Sequence, residues 1–367
     1  MRVLHLPTAT AGHAWGLAQG ERALGLNSHV LVAMQNWLNY PADISLDLEK
    51  VSSVSRKSLK LFSTFISIRN KYDIFHFNFG RSLLYIPFKI KSKFASLLKY
   101  FDLADLPLYP RNAKLFVTYN GCDARQKYPT MERTLLSACH NSDCYDGICN
   151  SGELDIIRRQ SILKMAKYVQ HMWAVNPDLL YFLPREKSSF LPYSVNSDKI
   201  SLAKPDFHKK KLKIVHAPTS RVAKGSDIIL NVLEEARKEH SSEIEFEVVE
   251  NLSHEKAINR YKQADVFIDQ ILVGWYGGVA IEVMSMGKPV ICRIAEKDLH
   301  FIPKEMAADL KGAFINACHM DLKEMLVRCI EDREFLKRKS EAGLEYARKW
   351  HDPKYVASIT KEAYERF

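Results

Sequence analysis

The sequence alternates along its whole length between short apolar runs typical of β-strands and longer stretches with helical spacing. The first apolar run covers residues 2–6, an Ala- and Leu-rich stretch from 14 to 24 follows it, and 29–34 is the next run. Further strand-like runs lie at 74–79, 114–119, 172–175 and 189–193. Because each pair of later runs is separated by enough chain for a helix, the pattern predicts parallel sheets covered by helices.

The alternation is interrupted once, between residues 196 and 213. This stretch contains Lys204-Pro205-Asp206 and the run Lys209-Lys210-Lys211, with few apolar residues, as is typical of a linker. Strand-like runs then resume at 212–217, 245–249, 266–270 and 289–294. We therefore predict an α/β protein with two Rossmann-like domains, residues 1–205 and 206–350, and a ligand in the cleft between them at the carboxyl ends of the strands.

Composition excludes several other classes. The chain has 367 residues, of which 47% are hydrophobic, enough for about two domains of ordinary size. Its apolar runs are far shorter than the roughly 18 residues of a membrane-spanning helix. The first residues read as a strand and not as a charged leader before an apolar region. We expect a soluble, cytoplasmic protein.

The most informative local pattern lies in the second half. A strand-like run ending at Gln270 is followed by a loop with Gly274, Gly277 and Gly278, and then by a helix that contains Glu282. Paired glycines at a strand-to-helix turn let backbone N–H groups approach an anion, and a helix N-terminus favours negative charge. Glu282 lies one turn inside this helix, where a carboxylate can accept hydrogen bonds from sugar hydroxyls.

Residues 277–291, with Glu282, Met284, Gly287 and Pro289, resemble the donor-site signature of glycosyltransferase family 4, whose members have the GT-B fold. The stretch 216–225, His-Ala-Pro-Thr-Ser-Arg-Val-Ala-Lys-Gly, resembles the Arg…Lys-Gly loop of the same family. The resemblance implies two Rossmann-like domains facing each other across a cleft. It also implies that the N-terminal domain binds the acceptor, and that residues 351–367 form a helix that crosses back to it.

The resemblance also assigns roles in the donor site. Lys224 and Arg221 match family residues that contact the nucleotide diphosphate, where fixed cations stabilise the charge of the departing group. Glu282 matches the glutamate that holds the ribose, and Gly277, Gly278 and Val279 would offer backbone N–H groups to phosphate or sugar. A second family glutamate, which contacts the donor sugar, is replaced here by Gly274, so that this contact is either absent or supplied by Asp269 or Gln270.

The first half contains weaker candidates. Asn120-Gly121 stands where the family often has a histidine before glycine; an amide can bind a sugar hydroxyl but cannot exchange protons near neutral pH. His76 is a catalytic candidate, with a strand histidine at the cleft edge as the alternative. Gly12 and His13 follow the first strand, where the family places an acceptor-side glycine loop.

Four of the seven cysteines, Cys122, Cys139, Cys144 and Cys149, fall within 28 residues. Four thiolates can hold a structural Zn²⁺, although the gaps of four residues are longer than the usual two, and buried thiols are the alternative reading. We predict no cofactor for catalysis, because the sequence contains no Asp-x-Asp motif and the family needs no catalytic metal.

Positive charge is concentrated in one stretch. The net charge is +10, and between Arg56 and Lys99 ten Lys/Arg residues face a single acid, Asp73. Apolar side chains interleave with these cations, for example with Lys89, Lys91 and Lys93, which suits peripheral binding to an anionic membrane surface. A solvated helix face is the alternative. No nucleic-acid recognition motif is present, so we expect no nucleic-acid partner.

The sequence therefore predicts a GT-B glycosyltransferase of the hexosyltransferase type. We expect it to move a sugar from a UDP- or GDP-linked donor to a hydroxyl of a glycan or lipid-linked acceptor, with retention, in surface polysaccharide or glycolipid synthesis. A nucleotide-sugar epimerase of the same fold is one alternative. A non-catalytic basic module that binds nucleic acid or membrane is another.

Overall fold

The computed structural model describes residues 1–35, 38–84, 102–195 and 200–367. It divides into two compact units. The first unit comprises Met1–Gln126, Ser151–Ser194 and Pro353–Phe367, and the second comprises Lys127–Asn150 and Val195–Asp352. This division differs from the predicted domains, because residues 127–150 and 195–205 belong to the second unit and not to the first, and the last segment of the first unit begins at Pro353 and not at residue 351.

The first unit is built on a seven-stranded sheet in which every pair is parallel. Its strands are β1 (Arg2–Leu6), β2 (Asn27–Val32), β3 (Ile44–Ser45), β4 (Ile74–Asn78), β5 (Lys114–Tyr119), β6 (His171–Ala174) and β7 (Ser188–Phe190). They lie in the order β3-β2-β1-β4-β5-β6-β7. The order reverses beside β1, which creates the switch point where open parallel sheets bind ligands.

The second unit has a five-stranded sheet, also parallel throughout. Its strands are β8 (Leu212–His216), β9 (Ile244–Val248), β10 (Val266–Ile268), β11 (Val290–Cys292) and β12 (Ile315–Asn316), in the order β12-β11-β10-β8-β9. Both sheets confirm the predicted α/β fold class.

Helices cover the sheets. In chain order they are α1 (His13–Ala23), α2 (Val54–Ile68), α3 (Lys127–Arg133), α4 (Glu153–Ala166), α5 (Arg221–Lys224), α6 (Ser226–Glu239), α7 (His254–Tyr261), α8 (Gly278–Ser285), α9 (Lys304–Ala313), α10 (Leu322–Glu331), α11 (Arg333–Trp350) and α12 (Pro353–Arg366). In the part of the chain that the structure describes, no helix has the length and apolarity needed to cross a membrane.

The C-terminal helix α12 packs in the first unit, as the predicted fold requires. Val356, Ala357 and Tyr364 of this helix join a core that includes Leu17 of α1 and Phe116 of β5. The burial of such apolar side chains contributes most of the stability of a parallel sheet and its covering helices.

A buried carboxylate adds a polar link between α1 and α12. Glu21 has no exposed surface. Its Oε1 accepts hydrogen bonds from Tyr364 Oη at 3.0 Å and Thr360 Oγ1 at 3.2 Å, and its Oε2 accepts one from Ser28 Oγ at 2.6 Å and lies 2.8 Å from His5 Nε2. Burying a charged group is costly unless it is fully hydrogen-bonded, so this network specifies where α12 docks.

Close backbone approach in the same interface requires glycine. A Cβ on Gly20 of α1 would overlap the carbonyl group of Pro353, at the start of α12. By contrast, Gly312 lies in α9 with no heavy atom within 4 Å of the Cβ position.

We predict that Gly20→Ala lowers the free energy of unfolding by about 2–3 kcal/mol, because backbone cannot yield as a flexible side chain can. The matched variant Gly312→Ala should be neutral or stabilising by about 0.5–1 kcal/mol, since alanine is the better helix former. Urea denaturation followed by circular dichroism measures both. Equal stabilities for the two variants would contradict the packing of α1 against α12.

Candidate functional site

Lys224 is held next to the end of β10 by its own backbone. Helix α5 begins after Ser220, whose Oγ accepts the amide of Ala223 at 3.4 Å, and it ends at Gly225, with a φ of +78°. The Lys224 carbonyl accepts the amide of Ile271 at 3.1 Å. Because glycine adopts positive φ without strain, the chain turns at once into α6 and leaves Lys224 at a fixed position.

The ammonium group of Lys224 forms an ion pair with Oδ1 of Asp269. Asp269 follows β10 and is buried, while Lys224 retains only 8% of its surface exposed. The other carboxylate oxygen, Oδ2, accepts the backbone N–H of Gly277 at 2.6 Å. One buried carboxylate therefore positions both the cation and the glycine loop, which are the two features that the sequence predicts for the donor site.

The glycine loop lies close to this ion pair. A Cβ on Gly277 would lie 3.2 Å from Lys224 Nζ and 3.5 Å from both Asp269 oxygens. Gly277 precedes α8, and Gly278 and Val279 form its first turn, where backbone N–H groups have no partner within the helix. All three residues are partly exposed. The amide of Gly277 is donated to Asp269, so Gly278 and Val279 present the amides best placed for an anion.

Glu282 lies in α8 with 7% of its surface exposed, and its Oε1 is 2.7 Å from Nε2 of His254, at the start of α7. Burial lowers the pKa of His254, but the hydrogen bond to Glu282 and its charge outweigh burial, so the pKa lies above its ordinary value. The hydrogen bond to Glu282 therefore favours the protonated form of His254. Nothing in the sequence pattern pointed to His254.

Two other residues of the Arg…Lys-Gly stretch have different surroundings. Burial lowers the pKa of His216 to about 4, and its ring nitrogens bond the Ile268 carbonyl and Ser226 Oγ, each at 2.8 Å. His216 thus joins β8 to the start of α6 as a neutral imidazole. Arg221 is half exposed and forms a bidentate pair with Glu250, at 2.8 and 2.6 Å.

The loop before α8 is anchored from the opposite side by Tyr276. Its ring is fully buried and stacks on Trp275 and Phe314, with centroid distances of 4.4 and 4.7 Å. Its hydroxyl lies 2.8 Å from Tyr346 Oη and 3.0 Å from His351 Nε2. Since Tyr276 adjoins Gly277, these contacts restrict the loop that carries the candidate anion-binding amides.

Gly274, in the position of the missing family glutamate, has a φ of +82° and is buried. Its carbonyl accepts the amide of Ala295 at 2.8 Å. A glutamate here would be strained by the backbone conformation. Asp269, the predicted substitute, has both carboxylate oxygens bound to Lys224 and Gly277, which makes it a positioning residue in this arrangement.

In the first unit, His76 lies inside the sheet on β4. It has no exposed surface, and its Nδ1 and Nε2 lie 2.6 Å from Tyr364 Oη and 2.7 Å from Thr118 Oγ1. Burial, followed by the nearby imidazoles of His5 and His13, places the pKa of His76 well below its ordinary value. These contacts fit a structural role in the core and offer no surface for substrate.

The other candidates of the first unit follow strand ends. Asn120 accepts the Phe79 amide at 3.1 Å through its side-chain oxygen, and its own amide N–H is 3.0 Å from Asp123 Oδ2. Gly12, with a φ of +69°, precedes α1, and His13 is buried with its Nδ1 accepting the Ser194 amide at 3.0 Å. Asn120 thus shapes the loop after β5, and His13 the start of α1.

A cavity of about 260 Å³ opens at the carboxyl ends of β1, β2 and β4 in the first unit. Its walls come from the loops after those strands, including Thr10, Tyr40 and Arg81. None of these residues was a candidate from the sequence, although Gly12 lies against the ring of Tyr40. The sequence feature that could have pointed to Thr10 and Tyr40 was the glycine turn after the first strand, which these residues adjoin.

Two predictions are not tested by these contacts. Cys122 belongs to the first unit, whereas Cys139, Cys144 and Cys149 belong to the second, and all four are partly exposed. The structural zinc stays a prediction. Lys89, Lys91 and Lys93 lie outside the described residues.

The pair of His254 and Glu282 should make stability depend on pH. A pKa raised in the folded state means that the pair stabilises the fold fully below the ordinary pKa of histidine and loses this effect as pH rises through the raised value. We predict a coupling energy of about 1 kcal/mol at pH 6, falling towards zero at pH 9. A double-mutant cycle of His254→Asn and Glu282→Gln in urea denaturation measures it; a pH-independent coupling would contradict the pairing.

No protein-family model and no curated protein matches the sequence. Solved structures do match the fold. Sucrose-phosphate synthase from Thermosynechococcus elongatus is 13% identical with a TM-score of 0.63, over 100% of this chain and 99% of that one. Anabaena HepE in complex with UDP-glucose is 10% identical with a TM-score of 0.61, over 100% and 99%. UDP-GlcNAc 2-epimerase from Neisseria meningitidis, bound to UDP-GlcNAc, is 13% identical with a TM-score of 0.52, over 100% of both chains. The chain therefore has the GT-B fold.

Proposed function

We propose that this protein is a glycosyltransferase that resembles family 4 and moves a sugar from a nucleoside diphosphate donor to an acceptor hydroxyl. The observation that carries the proposal is the arrangement of Lys224, Asp269 and the loop at Gly277, beside Glu282. Similar structures contain UDP-glucose or UDP-GlcNAc, which supports a nucleotide sugar as the ligand of this site. We also propose that the reaction belongs to the synthesis of surface polysaccharide or glycolipid.

The site residues account for the chemistry as follows. As the bond between the anomeric carbon and the diphosphate oxygen breaks, negative charge grows on the leaving diphosphate, and a fixed cation lowers the energy of that state. Lys224 supplies the cation, and the amides at the start of α8 supply N–H donors. The acceptor oxygen bonds to the anomeric carbon, and its proton passes to an oxygen of the departing diphosphate. We propose that Glu282 binds the ribose, that the configuration is retained, and that no catalytic metal is needed.

Arg221 remains the proposed second contact to the diphosphate. Its guanidinium is paired with Glu250, so it would have to exchange a carboxylate for phosphate when the donor binds. Both Arg221 and Lys224 are paired with a carboxylate, but Arg221 is half exposed and Lys224 is buried, so water screens the charge of Arg221 more strongly. We therefore expect Arg221→Gln to have a smaller effect than any change at Lys224.

We predict that Lys224→Gln slows transfer by about 100-fold or more, equivalent to about 3 kcal/mol of barrier. The single variant leaves Asp269 as an unpaired buried charge, which can itself destabilise the fold. The double variant Lys224→Gln/Asp269→Asn removes both charges, so it should recover stability but not activity. Arg237→Gln, which changes an exposed cation paired with Glu234 on α6, is the matched control.

Release of UDP or GDP from a panel of nucleotide sugars, with calorimetric titration of UDP and GDP, measures these effects. Activity of the double variant equal to the unchanged protein would contradict the role of Lys224. Product analysis separates the alternatives of the same fold. Release of a sugar with altered configuration at carbon 2, independent of any acceptor, would identify an epimerase. Failure to bind any nucleotide would favour a non-catalytic module.

We further propose that α2 places the protein on an anionic membrane surface. The helix contains no acidic residue, and Leu59, Phe62 and Ile66 are 68%, 52% and 49% exposed. A spacing of three and four residues puts these side chains on one face of the helix. Arg56 and Lys60 are exposed on the same helix, as is typical of helices that lie in the headgroup region of a bilayer.

We predict that the protein sediments with phosphatidylserine vesicles at low salt and is released as salt rises, because each Lys or Arg near the surface contributes about 1 kcal/mol that salt screens. Phe62→Ser/Ile66→Ser should abolish sedimentation while nucleotide binding persists. Ile156→Ser/Leu163→Ser, which changes exposed apolar residues of α4, is the control. Equal binding to neutral and anionic vesicles would contradict the electrostatic part of the proposal.

A further inference from the structure

The cavity of the first unit has the features of a built binding site. It lies at the carboxyl ends of three adjacent parallel strands, β2, β1 and β4, which is where open α/β sheets bind ligands. Six of its lining residues carry the argument: Thr8, Thr10, Gln35, Tyr40, Phe79 and Arg81. Its volume of about 260 Å³ lies near the lower end for small-molecule pockets.

One wall of the cavity is held in an unusual backbone conformation. Phe79 has a φ of +61° and Gly80 a φ of +58°. The Phe79 amide donates to the Thr118 carbonyl at 2.9 Å and to Asn120 Oδ1 at 3.1 Å, while the ring of Tyr119 fills the space beside Gly80. A bulky residue with positive φ is strained and persists where surrounding contacts enforce it, which is common at ligand sites. The fixed loop presents Phe79 and Arg81 to the cavity.

The opposite walls combine an aromatic ring with polar groups. The Cδ1 and Cε1 atoms of Tyr40 lie 2.9 Å from the Cβ position of Gly12, so only glycine allows the ring to approach the loop after β1. The hydroxyls of Thr8 and Thr10 are 3.1 Å apart, and Gln35 Nε2 donates to the Tyr40 carbonyl at 3.2 Å. Aromatic surface with a few fixed polar groups suits a small ligand with several hydroxyls, such as a sugar.

The cavity lining carries positive charge. Among its described lining residues Arg81 is the one ionisable cation, and none is acidic. The guanidinium carbon lies 5.7 Å from the centroid of the Phe79 ring. A guanidinium binds carboxylate or phosphate through parallel hydrogen bonds.

We propose that the acceptor of this enzyme is a sugar that carries an anionic group, a carboxylate or a phosphate, bound by Arg81. The sugar ring lies against Tyr40 and Phe79, and the hydroxyls of Thr8 and Thr10 bind its hydroxyl groups. This inference rests on the proposed function, because it assigns the cavity to the acceptor of the transfer reaction. It goes beyond that function in naming the chemical class of the acceptor.

The test is the binding of three monosaccharide probes to the full chain saturated with UDP, measured by saturation-transfer NMR and competition. Methyl β-glucuronide carries a carboxylate, glucose 6-phosphate carries a phosphate, and methyl β-glucoside is neutral. We expect at least one anionic probe to bind about tenfold or more tightly than the glucoside. The anionic probe that binds more tightly shows whether the charged group of the acceptor is a carboxylate or a phosphate.

Variants of Arg81 make the test specific. Arg81→Gln should lower the affinity for the anionic probe about tenfold and leave the affinity for the glucoside unchanged. Arg81→Lys should retain part of the preference for the anionic probe. Arg111→Gln, which changes an exposed arginine outside the cavity lining, should have no effect. Circular dichroism and UDP affinity report whether each variant is folded.

The proposal is overturned if methyl β-glucuronide, glucose 6-phosphate and methyl β-glucoside bind equally, if none of them binds, or if folded Arg81→Gln keeps the full anionic preference. Failure of the proposed function has a different signature. In that case calorimetry detects no binding of UDP or of other nucleotides. The preference for anionic sugars, and its dependence on Arg81, can still be measured with the protein free of nucleotide.

Discussion

The candidate site of the second unit depends on one buried carboxylate, that of Asp269, which has a different partner on each oxygen. Asp269 is buried at the end of β10, where a lone charge would be costly, and it is compensated on one oxygen by Lys224 and on the other by the Gly277 amide. The same two partners come from segments more than 50 residues apart in the chain. Their common anchor fixes the distance between a cation and the N-terminus of α8. A site prepared in this way can stabilise a diphosphate without rearranging when charge develops.

The first unit also contains a buried carboxylate, Glu21, that is compensated by hydrogen bonds. This buried carboxylate takes hydrogen bonds from α12 through Thr360 and Tyr364, and Tyr364 also contacts His76 inside the sheet. The C-terminal helix is therefore specified by polar contacts as well as by apolar burial. In both units a buried acid orients elements from distant parts of the chain, so the removal of either acid would leave several donors unsatisfied at once.

In the first unit, two features place positive charge next to apolar surface. The cavity beside β1 contains aromatic surface and Arg81, and α2 exposes an apolar face with adjacent cations. A sugar with an anionic group would be attracted to the first, and a bilayer with anionic headgroups to the second. Both proposals follow from charge placed next to apolar surface, where desolvation strengthens electrostatic attraction.

The sequence alone determined the fold class, because strand and helix periods differ and parallel strands require crossover helices. Through its resemblance to a family signature it also predicted Lys224, Gly277 and Glu282 as donor-site residues, and the structure brings Lys224 and Gly277 together on Asp269. Short elements such as β3 and β12, the assignment of residues 127–150 and the partners of these side chains were decided by tertiary structure. His254 and Arg81 carry no local signal, because the contact of His254 with Glu282 and the cavity that Arg81 lines both join segments that are distant in the chain. His76 shows the converse: its sequence context suggested chemistry, but its depth in the sheet gives both ring nitrogens protein partners, and depth is a property of the packed chain.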